Sequence, residues 1–146
     1  RRQRQMCIRD RPYINCLMEL IILEEYMKLN NIRKLNIEEE ILLEELVHRS
    51  IKVISPDWKN GLLVASLEDG GMGSLALFPC DTLNKVRHFG SQVSECQFRD
   101  TDGVSVVASL YLDEDDKLYE LDMWKVDFSK LINIPTHFED VEYSDK

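Results

Sequence analysis

The chain has 146 residues, of which 44% are hydrophobic and 31% charged, a balance typical of one globular domain and not of a disordered chain. It contains no run of about 18 apolar residues, so we expect no membrane-spanning segment. The formal net charge of −9 disfavours duplex nucleic acid and membranes as partners, because binding to either normally requires clustered Lys and Arg.

Residues 1–11, RRQRQMCIRDR, differ in composition from everything that follows. The string MCIRDR resembles translated sequencing-adapter read-through, so we interpret the segment as non-native, in which case the natural start of the chain is missing. A basic nucleic-acid-binding arm and a mitochondrial transit peptide are the alternatives. Without this segment the net charge falls from −9 to −13. Such a surface complements a basic protein; the alternative is that the charge serves solubility alone.

Two helices are predicted next. From Pro12 to Asn30, apolar residues recur at spacings of three and four with Glu and Lys between them, which indicates an amphipathic helix with Pro12 in its first turn. The second helix begins at Asn36, a good N-cap with Glu39 at the capping-box position, and extends to about His48. The short polar link predicts that the helices are antiparallel neighbours.

After residue 50 the pattern changes to period two, which predicts strands joined by turns. IKVI at 51–54 is a candidate short strand. The stronger candidates are 62–67, 74–78, 92–98, 104–112 and 118–128. We predict one α+β domain over 12–135, with two helices packed on a mostly antiparallel meander sheet of about five strands. The loop 79–91 is long enough to carry function, and we expect residues 136–146 to form a mobile acidic tail.

The cysteines do not form a disulfide framework. Cys7, Cys16, Cys80 and Cys96 include no CxxC pair and no regular spacing. Cys96 alternates with Phe98 on a face that we predict to be inward, where a thiol behaves as a small hydrophobe. We therefore predict reduced cysteines and a cytoplasmic protein.

The glycine cluster in LEDGGMGSL, residues 67–75, raises the question of a phosphate-binding loop. Such a loop delivers a strand into a helix N-terminus, whereas SLALF after this cluster alternates as a strand does. The spacing fits neither GxGxxG nor the Walker form. Asp69-Gly70 is a strong hairpin dipeptide, so we predict a turn; a small anion nest of backbone amides is the alternative.

The segment 118–128 changes the phase of its alternation. Strict alternation predicts core-facing Tyr119, Leu121 and Met123 and outward-facing Glu120 and Asp122. Beyond Met123 the apolar residues have the opposite phase. We predict a bulge near Met123-Trp124 that tucks Trp124 under the helices; the alternative is a bulge that aims Trp124, Lys125 and Asp127 at a ligand.

Three blocks carry a resemblance to a known family: DGGMGSL at 69–75, DTDGVSVVASL at 100–110 and LYELDMWKVDFSKL at 118–131. In order and spacing they resemble an uncharacterised bacterial family, number 6984 among the domains of unknown function, over roughly 17–135. The resemblance implies a small bacterial domain with helices followed by a sheet, and it implies no activity. The matching residues are Asp69, Gly70, Gly71, Met72, Gly73, Ser74, Glu120, Asp122, Trp124, Lys125, Asp127 and Phe128.

We assign no catalytic residue, metal or cofactor. Glu120 and Asp122 could act as acid and base if burial separated their pKa values, but paired acids on a solvated strand are commoner. The three histidines form no HxH or HExxH pattern, so no zinc site is predicted. The acidic run at 113–116 lacks the glycine and distal glutamate of a calcium loop and is interpreted as a hairpin tip.

The leading hypothesis is therefore an acidic, non-enzymatic protein-binding module, of an immunity or antitoxin kind, that covers a basic surface of its partner. The alternative is a small ligand-binding domain or enzyme whose site joins the 69–74 turn to the 120–127 strand, and a structural subunit is the third. The alternative requires these two segments to be neighbours around a concave pocket. The candidate functional surface comprises Asp69, Gly70, Gly71, Met72, Gly73, Ser74, Glu120, Asp122, Trp124, Lys125 and Asp127. The oligomeric state is not predicted.

Overall fold

The computed structural model describes the backbone of residues 13–143 and the side chains from Leu20 onwards. The predicted non-native segment 1–11, the thiols of Cys7 and Cys16, and the end of the acidic tail lie outside this description. The helices are α1 (Tyr13–Leu29) and α2 (Ile37–His48). The strands are β1 (Ile32–Arg33), β2 (Leu63–Ser66), β3 (Leu75–Phe78), β4 (Phe89–Arg99), β5 (Ser105–Asp113) and β6 (Leu118–Lys125). No helix in the described part is long and apolar enough to cross a membrane.

The strands form one six-stranded sheet in the order β1-β2-β3-β6-β5-β4, with every neighbouring pair antiparallel. The α+β class and the antiparallel sheet are thus confirmed. One strand more than expected is present because two residues between the helices, Ile32 and Arg33, pair with β2. The sheet is a meander except that β3 pairs with β6, which brings the 67–74 turn beside the end of β6.

Helix α2 packs on the sheet as its sequence predicts. The Asn36 side chain accepts a hydrogen bond from Glu39 N at 2.8 Å, and the Glu39 carboxylate accepts one from Asn36 N at 3.0 Å, which confirms the capping box. Leu42, Leu43 and Leu46 are fully buried against the face of β4 and β5. This apolar stripe anchors one cover of the sheet.

Helix α1 behaves differently from the prediction that both helices pack on the sheet. Its main strand contacts are with β1, and Leu20, Ile21 and Ile22 each remain more than half exposed. The physical reason lies in the sequence, because three consecutive apolar residues point around a helix and do not form one stripe.

The predicted strand at 51–54 does not form. Ile51 N donates to Val93 O of β4 at 2.9 Å, but Ser50 Oγ then binds both the carbonyl and the amide of Lys52. A side chain that satisfies its neighbouring backbone competes with the strand ladder. The chain therefore turns away after one bond, and Val53 is exposed.

The second cover of the same sheet face is the segment after β6. Leu131, Ile134 and Phe138 join the core, and the Phe138 ring meets Phe98 edge-to-face at 5.8 Å. The backbone of Glu139 pairs with Gln97 on β4. Phe138 and Glu139 of the predicted tail thus contact the edge of the sheet. Cys96 and Phe98 are buried as predicted, and Cys96 and Cys80 are free thiols.

Candidate functional site

The glycine cluster is a hairpin turn, as predicted. Ser66 pairs with Leu75, and Leu67 N donates to Ser74 O at 2.9 Å, so residues 67–74 connect two antiparallel strands. Gly70, Gly71 and Gly73 have φ values of 78°, 84° and 101°. Such values are strained for other residues, which explains the glycine at each position.

Asp69 closes this turn from within. Its Oδ1 accepts hydrogen bonds from Gly71 N at 3.2 Å and Met72 N at 3.0 Å, and its Oδ2 accepts one from Ser74 N at 2.9 Å. Burial opposes ionisation, but the bonds from Ser74 and Met72 outweigh it and lower the pKa of Asp69. The amides of the alternative anion nest are therefore bound to the protein's own carboxylate.

The turn and strand β6 are spatial neighbours, which the alternative hypothesis requires. Ser74 Oγ accepts a hydrogen bond from Met123 N at 2.9 Å, and Met72 Sδ accepts one from Lys125 N at 3.4 Å. These bonds extend the β3–β6 pairing past Leu75. The Asp69–Ser74 segment thus fixes the position of the end of β6.

Strand β6 contains no bulge near Met123-Trp124, so that prediction is wrong. The register with β5 is regular from Glu120 to Lys125, and the irregularity lies at the start of β6, where Tyr119 is the extra residue. Lys125 therefore follows Met123 on the core face and is fully buried, while Trp124 is 44% exposed. The tryptophan is not tucked under the helices, and the lysine does not point to a surface ligand.

The burial of Lys125 is explained by two aspartates. Its Nζ donates to Asp100 Oδ2 at 2.8 Å, Asp102 Oδ2 at 2.6 Å and the Lys130 carbonyl at 3.0 Å. Burial alone would lower the pKa of Lys125, but the bonds to both aspartates raise it. All three ammonium protons thus have acceptors, and the ammonium remains charged inside the protein.

Asp100 ties this ion pair to the covering segment. Its carboxylate also accepts bonds from Ile132 N at 2.7 Å and Asn133 N at 3.0 Å. Although burial favours the neutral acid, these bonds and Lys125 lower the pKa of Asp100 to about 2. Neither aspartate was predicted from the sequence; a lysine at a core-facing strand position is the signal that an acid must lie nearby.

Asp127, the last predicted site residue, lies in an exposed turn. Its Oδ1 accepts bonds from Ser129 Oγ at 2.6 Å and Ser129 N at 3.0 Å, and these bonds lower its pKa. The next residue, Phe128, has φ 62° and is 69% exposed. The left-handed region is strained for a bulky residue, so the turn that exposes the Phe128 ring is unfavourable in backbone conformational energy.

The sheet face opposite α2 carries a different set of side chains. We call this surface the open face; its central residues are Ala76, Glu95, Val107, Ser109, Tyr111, Glu120, Asp122 and Trp124. Cross-strand pairing places Tyr111 opposite Glu120, Ser109 opposite Asp122 and Val107 opposite Trp124. All but Ser109 are partly or largely exposed. The open face thus combines carboxylates with aromatic rings.

Two carboxylates of the open face, Glu120 and Asp122, are destabilised in their charged form. Burial raises the pKa of Glu120, and Asp122 adds repulsion. Burial likewise raises the pKa of Asp122, with repulsion from Asp69. Burial and the same two strand carboxylates raise the pKa of Tyr111. Among the described residues Glu120 and Asp122 form no ion pair, so a cation from outside would be favoured here.

A groove of about 290 Å³ adjoins this face at Glu120. It is lined by Leu67, Ala76, Phe78, Lys85, Arg87, Tyr119 and Glu120. Only Glu120 among the predicted site residues lines it. The groove exists because β3 and β6 pair only through Leu75 and Ala76 and then diverge.

Arg87 fills the gap between the diverging strands. Its Nη1 donates to Leu118 O at 2.8 Å and Asp113 Oδ2 at 3.2 Å, and its Nη2 donates to Leu77 O. The guanidinium lies 5.3 Å from the centre of the Tyr119 ring. Sequence analysis missed this residue because it comes from the 79–91 loop, where no pattern indicated its partners.

The acidic run after β5 is a turn, as predicted. The carboxylates of Asp113, Glu114 and Asp115 approach one another within 4.8 Å. Asp113 Oδ1 accepts bonds from the amides of Asp115 and Lys117, and Glu114 accepts bonds from His88. These carboxylates therefore serve the turn and the adjacent loop.

Fold and surface together define a small α+β domain: an antiparallel sheet covered on one face and open, acidic and aromatic on the other. Residues 32–135 match the family model described as Domain of unknown function (DUF6984), and the chain belongs to this family. The match runs from β1 into the covering segment and confirms the resemblance carried by the three sequence blocks. No curated protein and no solved structure matched the chain. Function must therefore be argued from the site.

Proposed function

We propose that this domain is a non-enzymatic protein-binding module whose open face docks on a basic surface of a partner protein. The observation that carries this proposal is the pair Glu120 and Asp122, which are half-buried, close to each other and without an ion-pair partner among the described residues. A Lys or Arg of a partner would relieve both the burial penalty and the mutual repulsion.

The aromatic residues around these carboxylates support a protein partner. Trp124 lies on the same strand and face as Asp122 and is 44% exposed, and the exposed Phe128 lies in the turn that follows the strand. Exposed tryptophans surrounded by polar groups are characteristic anchors of protein interfaces. An immunity protein or antitoxin that covers a basic surface would present such a combination.

The test is capture of a partner by matched variants, with lysate from a bacterium that encodes a family member. The double variant E120Q/D122N removes two charges from the open face. The control E24Q/E25Q removes two charges from the exposed side of α1, so both variants change the net charge equally. We expect the control to retain a salt-sensitive basic protein and E120Q/D122N to bind it at least about tenfold more weakly.

Two outcomes would contradict the proposal. Equal loss in both double variants would mean that net charge alone attracts the protein. Equal retention in both would place the interface away from the open face. As a second probe, W124A should weaken capture without changing its dependence on salt, because tryptophan contributes apolar area and no charge.

A further inference from the structure

We propose that the groove between β3 and β6, which shares Ala76 and Glu120 with the open face, is a second binding site that takes a small zwitterion, of the class of free α-amino acids with an apolar side chain. This inference goes beyond docking on the open face, since the groove requires Lys85 and Arg87 from the loop before β4. It depends on the three charged residues and the four apolar or aromatic residues that line the groove.

The charges of the groove are of both signs. Lys85 offers an exposed ammonium that forms no ion pair among the described residues, and Glu120 offers a half-buried carboxylate. A purely anionic ligand would leave Glu120 without a partner, and a purely cationic one would be repelled by Lys85. A ligand with a carboxylate and an ammonium satisfies both.

Arg87 makes this arrangement rigid. Its side chain is 8% exposed, and its bonds to Asp113 and the carbonyls of Leu77 and Leu118 fix the plane of the guanidinium. A prepositioned wall of the groove costs little conformational entropy on binding. Because the Arg87 guanidinium is paired with Asp113, Lys85 is the cation that would bind a ligand carboxylate.

The size and walls of the groove limit the ligand. A volume of about 290 Å³ lies at the small end of ligand pockets and is large enough for an amino acid. Leu67, Ala76, Phe78 and Tyr119 supply apolar and aromatic surface. An aliphatic or aromatic ligand side chain would lie against these walls.

The experiment is an NMR titration of the full chain with L-leucine, L-phenylalanine, 3-phenylpropionate and phenethylamine. The last two compounds keep the phenylalanine ring and carry one charge each. We expect the zwitterions to shift the amides around Phe78 and Tyr119 and to bind about tenfold more tightly than either singly charged analogue. Absence of saturable shifts with both amino acids, or equal affinity for L-phenylalanine and its two analogues, would overturn the proposal.

Variants of Lys85 and Glu120 test which residue binds the carboxylate of the ligand and which binds its ammonium. K85A should remove the preference for L-phenylalanine over phenethylamine, and E120Q the preference over 3-phenylpropionate. E68Q neutralises a nearby exposed carboxylate outside the groove and should preserve both preferences. If K85A or E120Q retains the full preference, or E68Q loses it, the assignment is wrong. Because K85A should still capture the protein partner, failure of this proposal is distinguishable from failure of docking.

Discussion

Asp100 connects three parts of the fold, and neutralising it tests whether its ion pair is the structural lock we infer. One carboxylate oxygen accepts bonds from Thr101 N and Asn133 N, and the other from Lys125 Nζ and Ile132 N. In the variant D100N the amide nitrogen must face one of these pairs of donors. At least two donors, buried or partly buried, then lose their acceptor, at about 1–3 kcal/mol each.

The pKa of Asp100 gives a second value for the free energy of unfolding that D100N would lose. A carboxyl whose pKa falls from 3.8 to about 2 on folding contributes about 2.5 kcal/mol to the free energy of unfolding at neutral pH. The lost hydrogen bonds give about 2–6 kcal/mol and the pKa gives about 2.5 kcal/mol, so we expect D100N to lower the free energy of unfolding by about 3 kcal/mol. Because the folded-state pKa is the lower one, this contribution is complete above pH 3.8 and is lost as the pH falls through about 2. At pH 3 about half of it remains.

The assay is urea unfolding at pH 7, 5 and 3. The control is D102N, which removes the other acceptor of the same lysine at a side chain that is 33% exposed. We expect this change to cost no more than about 1 kcal/mol. A loss of less than about 1 kcal/mol in D100N, or a loss that is as large at pH 3 as at pH 7, would refute the reasoning.

Three further predictions concern other parts of the chain. Burial raises the pKa of Glu120, and repulsion from Asp122 raises it further, so the charged carboxylate destabilises the fold at neutral pH. E120Q should therefore raise the melting temperature by about 2 °C at pH 7 and should give no gain below pH 4.5. A Cβ at Gly90 would lie 2.3 Å from Asp113 O, so G90A should lower the free energy of unfolding by about 3 kcal/mol in urea. Burial raises the pKa of the Cys96 thiol to about 12, so iodoacetamide at pH 8 should leave it unlabelled by mass spectrometry until urea unfolds the chain.

The parts of the fold that sequence predicts well depend on residues close together in the chain. The capping box of α2 needs only Asn36 and Glu39, and the hairpin needs only the Asp69-Gly70 turn between two alternating segments. The α+β class follows from the order of such local signals. Each can be recognised because the atoms that satisfy it lie within a few residues.

The errors came from competition that local patterns do not reveal. The segment IKVI at 51–54 indicated a strand, but the Ser50 hydroxyl instead forms hydrogen bonds with the backbone amide and carbonyl of Lys52. The groove also escaped prediction, because Arg87 binds carbonyls from β3 and β6 that are distant in sequence. Both the missing strand and the groove depend on contacts that the local sequence pattern does not show.

The inward-outward alternation of β6 connects the packing of the core with the proposed interface. Alternation in sequence assigns the inward positions to apolar residues, but Lys125 is inward because Asp100 and Asp102, from the turn before β5, satisfy its ammonium. Once the lysine is inward, strand geometry forces Trp124 outward beside Asp122. A strand that buries a cation and exposes a tryptophan violates the local hydrophobic rule twice, and such violations concentrate at functional surfaces. The apparent bulge is therefore the sequence feature that points most directly to the open face.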